Sequence, residues 1–218
     1  MTKRPRVLLA DDHAILSEGI QKLLEPTFEL VGAVQDGRAL LREAQRLEPD
    51  LLLLDISMPL LNGIDAARQL KKSLPRSKIV FLSMHADPEY VNEAFAAGAS
   101  GYLLKSSFSS ELTFALQEVL KGRYYVAPAV AKDVIGAFVE PREGSLAKPP
   151  DAHGKLTPRQ REVLQLVAEG KSVKEIAAIL GVSVKTVEFH KTRIMDELDL
   201  HSTAELTKYA IAHHLISL

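Results

Sequence analysis

Asp50-Leu51-Leu52-Leu53-Leu54-Asp55 is the stretch that decides the fold. Four leucines between two acids are too few for an independent helix. They suit a central strand buried on both faces of a parallel sheet. Ser57, Met58, Pro59, Leu60, Leu61, Asn62 and Gly63 follow as turn chemistry, and Pro59 and Gly63 keep strand and helix from running through. Asp55 is thus expected at the carboxyl end of a buried strand, the edge of an α/β sheet where ligands bind. A lone acid there is usually only a turn residue, so its meaning depends on what else arrives.

Outward from that strand, helical and strand periods alternate. Val7-Leu8-Leu9-Ala10 reads as a buried strand ending in Asp11-Asp12, and Ile15, Leu16, Ile20, Leu23 and Leu24 then recur at helical spacing up to Pro26. A strand over 30–34 leads into a helix carrying Leu40, Leu41, Ala44 and Leu47. Beyond Asp55 a helix carries Ile64, Ala67, Leu70 and Leu74, and residues 78–83 form a fourth strand. Asp87 is expected to cap the next helix and Gly98 to end it. Gly101-Tyr102-Leu103-Leu104 is a short fifth strand ending at Lys105, and Leu112, Leu116, Val119 and Leu120 mark the last helix. Five strands alternating with five helices indicate a doubly wound parallel domain over residues 1–121, with strand order 2-1-3-4-5.

Residues 122–154 read as a linker that can hold one short helix, between Tyr124 and Val139. From residue 155 the pattern is purely helical. Thr157-Pro158-Arg159-Gln160 opens the first helix with a capping residue before proline. Val173, Ile176, Ala177 and Leu180 form a second helix stopped by Gly181. Ser183 caps a third that carries Val187, His190, Ile194 and Leu198, and a fourth runs from Ser202 to Leu215. Two short helices with a glycine turn, then a longer one, form a helix-turn-helix.

Composition sets bounds on function. The chain has 218 residues, 46% hydrophobic and 25% charged, as in ordinary globular protein. A net charge of -1 announces no nucleic-acid partner in bulk, and the absence of cysteine excludes disulfides and thiolate metal sites. No segment is long and apolar enough for a membrane span, and a cytoplasmic protein without a membrane partner is expected. The seven histidines show no metal-ligand spacing and are read as non-ligands.

Asp11-Asp12, Asp55, Ser83 and Lys105 stand at the ends of four different apolar strands, so the strand order brings them to one edge. Each alone is more often a cap, a turn residue or a solvated strand end. Their joint arrival carries the functional reading. Crowded carboxylates repel and call for a cation. Hard oxygen ligands with open positions suit Mg²⁺, which also accepts phosphoryl oxygens. With Lys105 as a fixed charge, the site fits phosphoryl transfer to Asp55.

These residues resemble the receiver domain of two-component response regulators. The matching pieces are Asp11-Asp12-His13, Leu54-Asp55-Ile56-Ser57-Met58-Pro59, Leu82-Ser83-Met84-His85 and Ala97-Gly98-Ala99-Ser100-Gly101-Tyr102-Leu103-Leu104-Lys105. The resemblance implies that Asp55 is the phosphorylation site and that Asp12, Asp55 and the Ser57 carbonyl hold Mg²⁺, with Asp11 acting largely through water. It implies phosphoryl contacts from Ser83 and Lys105, and an aromatic switch at Tyr102. One departure is Ser106, where many receivers have a cis proline; a cis bond to serine would cost about 2.5–4 kcal/mol.

Residues 156–218 resemble the LuxR-type helix-turn-helix in the arrangement of the NarL/FixJ response regulators. Leu156-Thr157-Pro158-Arg159-Gln160-Arg161-Glu162-Val163-Leu164, Lys174-Glu175-Ile176-Ala177 and Lys185-Thr186-Val187-Glu188-Phe189-His190 carry that likeness. From 155 to 218 there are nine Lys plus Arg and eight Asp plus Glu, so placement rather than bulk charge must serve DNA. Lys185, Lys191 and Arg193 can meet phosphates, leaving Thr186, Glu188, Phe189 and Thr192 near the groove. Glu188 suits cytosine N4 and Phe189 a thymine methyl; a solvated acid is an equal reading of Glu188. Asp199 stands where the family often has a left-handed glycine, a conformation aspartate tolerates.

The reading is a phosphorylation-activated, DNA-binding transcription regulator, not an enzyme. A sensor histidine kinase would phosphorylate Asp55, and a homodimer would then bind double-stranded DNA at half-sites about 34 Å apart. An alternative is a phosphorylation-independent regulator with a vestigial receiver. A phosphatase is disfavoured because Asp55-Ile56-Ser57 lacks a second acid to protonate a leaving group.

Overall fold

The computed structural model describes residues 4–139, 156–213 and 215–216. The chain divides into two compact units. The first holds β1 (Arg6–Ala10), α1 (Ala14–Leu24), β2 (Glu29–Val34), α2 (Gly37–Leu47), β3 (Leu51–Asp55), α3 (Gly63–Ser73), β4 (Lys78–Ser83), α4 (Pro88–Ala96), β5 (Gly101–Leu104), α5 (Phe108–Leu120), β6 (Tyr125–Val126) and α6 (Pro128–Val139). The second holds α7 (Pro158–Ala168), α8 (Val173–Leu180), α9 (Val184–Leu198) and α10 (Thr203–Ala212).

The sheet is parallel with order β2-β1-β3-β4-β5-β6. This is the expected five-strand order with one addition. Tyr125 and Val126 pair with Gly101 and Tyr102 as a two-residue edge strand, so the expected helix starts later, at Pro128. The remainder of the expected linker, 140–154, lies outside the described residues.

The leucine run behaves as its composition demands. Leu51, Leu52, Leu53 and Leu54 have no exposed surface. Leu51 and Leu53 join Val7, Leu9, Val80, Leu82 and Leu103 in one core with Leu112, Leu116 and Val119 of α5. Burial of each such side chain contributes about 1.5–3 kcal/mol, which is why a strand with no polar face is stable here.

The register then places the polar strand ends. Ala10 pairs with Leu54, so Asp11 and Asp55 emerge side by side. Ser83 pairs with Leu104, and the Lys105 amide donates to the Ser83 carbonyl at 2.7 Å. All peptide bonds among the described residues are trans, including Lys105–Ser106. Two caps differ from expectation. Asp87 takes the position before Pro88 but makes no side-chain capping bond, and α10 ends at Ala212, before Leu215.

Gly63 is a residue the site depends on. Its amide donates to the Ile56 carbonyl at 2.8 Å, and a Cβ there would overlap the Asp55 carbonyl oxygen. The backbone of α3 can approach the carboxyl end of β3 only because no side chain intervenes. Gly63→Ala is expected to destabilise the chain by about 1–3 kcal/mol. Denaturant unfolding checks this; an unchanged midpoint would mean that the loop relaxes freely.

In the second unit the helix starts expected at Thr157, Ser183 and Ser202 are capped, and Ser172 caps α8 as well. Thr157 and Ser172 each complete a capping box, with Gln160 and Glu175, and the Ser183 and Ser202 side chains accept from the amides of Thr186 and Glu205. Gly181 and Asp199 end α8 and α9 in the left-handed region, as expected for both. Arg159 donates to the Leu180 carbonyl at 3.0 Å, and Gln160 to Glu197 at 3.0 Å, which fixes α7 to α8 and α9. Val163, Leu164, Ile176, Val187, Ile194, Leu206 and Ala210 fill the core between the four helices.

Candidate functional site

At the carboxyl edge of the sheet, Lys105 is the centre of charge. Its Nζ lies 2.7 Å from Asp55 Oδ2 and 2.8 Å from Asp11 Oδ2. All three side chains are at most 5% exposed. Asp55 Oδ1 accepts the Ser57 amide at 3.3 Å, and Asp11 Oδ1 accepts the His13 amide at 2.8 Å. The Asp12 side chain is more open and takes His13 Nδ1 at 2.8 Å.

The electrostatics follow from burial. Desolvation pushes the Asp55 carboxyl up to about 6, Lys105 opposes that, and Asp11 adds to it. Burial works against the Lys105 ammonium as well, but Asp55 and Asp11 outweigh it and hold its pKa above the ordinary value. The pocket therefore strains against carrying all its negative charge with a single cation present.

Ser83 and Tyr102 are fully buried beside this pocket. The Ser83 hydroxyl accepts the His85 amide at 3.0 Å, and the Tyr102 hydroxyl donates to the His85 carbonyl at 2.8 Å. Burial pushes the Tyr102 phenol up to about 12, with hydrogen bonding to Ser83 acting the other way. The ring of His85 stacks on Tyr90 of α4, with centroids 4.1 Å apart and planes 6° from parallel. Nothing in the sequence pattern pointed to the His85 carbonyl or to this stack, because both arise from the path of the loop after β4.

His13 lies beside the acids, which its place in the chain did not indicate. One ligand atom from each of Asp11, Asp12, His13 and Asp55 lies within 4.8 Å of the others. Spacing along the chain hid this, since only the turn after β1 brings the ring back onto the acids.

On α9 the exposed residues include Lys185, Glu188, Phe189, Thr192 and Arg193. They recur at i, i+3, i+4, i+7 and i+8, so they share one face, opposite buried Val187 and Ile194. The Arg193 guanidinium lies 5.6 Å from the Phe189 ring centroid, which is itself 57% exposed. Thr186 is drawn to the helix start, its hydroxyl 2.9 Å from that of Ser183. Lys191 leaves the stripe: its Nζ donates to Thr203 Oγ1 of α10 at 2.9 Å.

Two family models match the chain. The response regulator receiver domain matches residues 7–117, and the luxR family of bacterial regulatory proteins matches residues 154–210. The chain is 37% identical to the transcriptional regulatory protein MctR of Rhizobium johnstonii, over 100% of the chain and 99% of the relative. It is 36% identical to the oxygen regulatory protein NreC of Staphylococcus haemolyticus, over 97% of the chain and 99% of the relative. It is also similar to RcsB of Salmonella enterica serovar Typhimurium, solved bound to promoter DNA with the phosphomimetic BeF3⁻. There the identity is 30%, the TM-score 0.58, and coverage 95% of this chain and 98% of that one. Among the described residues, no helix is long and apolar enough to cross a membrane.

Proposed function

Since the chain belongs to the response regulators, transcription regulators that join a receiver to a LuxR-family DNA-binding domain, we propose that Asp55 is its phosphoryl acceptor and that phosphorylation there controls the exposed face of α9. The protein is a DNA-binding regulator rather than an enzyme. We divide it into a receiver over 1–121, a linker over 122–154 and a DNA-binding domain over 155–218.

One observation carries the assignment of Asp55: a buried lysine held between two strand-end carboxylates, with a third acid at the mouth. The donor set fits a hard divalent cation. Asp11, Asp12 and Asp55 each bring a carboxylate oxygen within 4.8 Å of the others, and Lys105 is the one buried cation that offsets them among the described residues. Asp11, Asp12, Asp55 and the Ser57 carbonyl would hold Mg²⁺, which when bound neutralises phosphoryl oxygens. The donor is a sensor histidine kinase. Asp55 attacks the phosphorus of its phosphohistidine, the P–N bond breaks, the imidazole leaves, and an aspartyl phosphate remains.

Lys105 then transfers its attention from a carboxylate to the phosphoryl oxygens, and the Ser83 hydroxyl turns toward them. Ser83 gives up the His85 amide in doing so, which couples the chemistry to the loop that Tyr102 and Tyr90 hold. The activated chain binds double-stranded DNA in the cytoplasm as a homodimer.

Lys185 and Arg193 would meet phosphates, and Thr186, Glu188, Phe189 and Thr192 would face the groove. Lys191 can join them only by releasing Thr203. Lys185→Ala is expected to weaken binding to all DNA sequences alike and to reduce the salt slope by about 1. A loss confined to one sequence would mean that Lys185 reads bases instead.

The test of phosphorylation is incubation with Mg²⁺ and acetyl phosphate, read by intact mass. Gain of one phosphoryl group supports the reading. No gain, with Mg²⁺ binding also absent, would leave a DNA-binding protein controlled by other means.

A further inference from the structure

The acid pocket carries one side chain that phosphoryl transfer does not use. His13 stands in extended conformation at the start of α1 without capping it. Its side chain is 64% exposed, yet Nδ1 turns inward, 2.8 Å from Asp12 Oδ1 and 3.3 Å from Asp11 Oδ1. These are separations that ligands of one ion adopt. Two atoms each about 2.1 Å from a metal stand roughly 3.0 Å apart at a right angle and roughly 3.4 Å apart at the tetrahedral angle. Deeper in, the Asp11 side chain has no exposed surface: Lys105 Nζ holds its Oδ2 at 2.8 Å, and Oδ1 is the atom that faces His13.

Oxygen ligands alone would favour Mg²⁺. An imidazole nitrogen changes the ranking, because borderline ions such as Co²⁺ and Zn²⁺ gain far more from nitrogen than Mg²⁺ does. We propose that His13 makes this pocket a mixed nitrogen–oxygen site, in which His13, Asp11 and Asp12 hold a divalent cation of the zinc class in competition with Mg²⁺. Occupancy by such an ion removes two carboxylates from Mg²⁺ and lowers phosphoryl acceptance by Asp55. The inference rests on the acid pocket being a metal site. An Nδ1–H of His13 donating to Asp12 satisfies the same geometry without a metal, so metal binding itself is the readout.

The probe is Co²⁺, added to the full-length chain and to His13→Gln, with visible absorption and calorimetry as readouts. Mg²⁺ is titrated into both proteins separately. The wild type is expected to bind one Co²⁺ with a visible band that Zn²⁺ abolishes. His13→Gln should lower Co²⁺ affinity at least about tenfold while leaving Mg²⁺ affinity within about twofold. Thermal unfolding of the variant confirms that the exposed position tolerates glutamine. Equal Co²⁺ affinity in the two proteins would overturn the inference, as would an equal loss for both metals. If Mg²⁺ binds and Co²⁺ gains nothing from His13, this inference alone fails. If neither ion binds, the metal pocket fails with it.

Discussion

Asp55→Asn is expected to take up no phosphoryl group from acetyl phosphate and, in Mg²⁺-free buffer near neutral pH, to unfold at a higher temperature than the wild type. The first half follows from the loss of the nucleophilic oxygen. The second follows from burial. The folded-state pKa of Asp55 rises from 3.8 to about 6, mainly by desolvation, against the pull of Lys105. The folded state therefore holds the Asp55 proton more tightly than the unfolded state does. Its stabilising effect is complete below 3.8 and is lost as pH rises through about 6. Near neutrality the ionised carboxylate costs roughly 3 kcal/mol relative to a group with no shift. Asparagine removes that charge but weakens the hold on Lys105, which keeps Asp11. The net gain expected is about 1–2 kcal/mol, or several degrees in Tm. Thermal unfolding with and without Mg²⁺ is the measurement. Mg²⁺ should raise the wild-type midpoint well above its effect on the variant. A variant that melts at or below the wild type in the absence of Mg²⁺ would show that Lys105 outweighs burial.

The residues that set this balance were legible in the sequence to an unequal degree. Asp55, Asp11 and Lys105 could be placed because each ends an apolar strand, and strand order converts position along the chain into position at the sheet edge. The exposed stripe on α9 could be read for a similar reason, since helical period alone puts Lys185, Glu188, Phe189, Thr192 and Arg193 together. The rest depended on paths that carry no period. β6 is two residues long, too short for alternation to show. Lys191 reaches Thr203 only through the packing of α10 against its own unit. His13 and His85 act through turns, His13 by a ring that folds back on the acids and His85 by backbone groups shared between Ser83 and Tyr102. Loop conformation is where residue type says least, so the surroundings of His13 and His85 come from the structure alone.

The largest loss of stability is expected from Lys105→Met. Methionine fills much of the aliphatic volume but leaves Asp55 and Asp11 buried without their shared cation. Breaking a buried pair in this way costs about 3–5 kcal/mol, because the abandoned charge remains desolvated. The pH dependence identifies the cause. In the wild type the raised Lys105 pKa means that its contribution is fully present below 10.5 and is lost only at higher pH. In the variant the Asp55 pKa must climb further above 3.8, since the lysine that lowered it is gone. Stability of the variant then falls as pH rises from that unfolded value through the new folded pKa, and it recovers in acid as the carboxyl takes its proton. Denaturant unfolding at several pH values should show the gap between the two proteins widest at neutral pH and narrow near pH 4, about the unperturbed carboxyl value. Mg²⁺ should close part of the gap at neutral pH by supplying positive charge to the same acids. A gap that stayed constant with pH would assign the loss to packing, and the charge of Lys105 would then be replaceable for folding even where it is required for accepting a phosphoryl group.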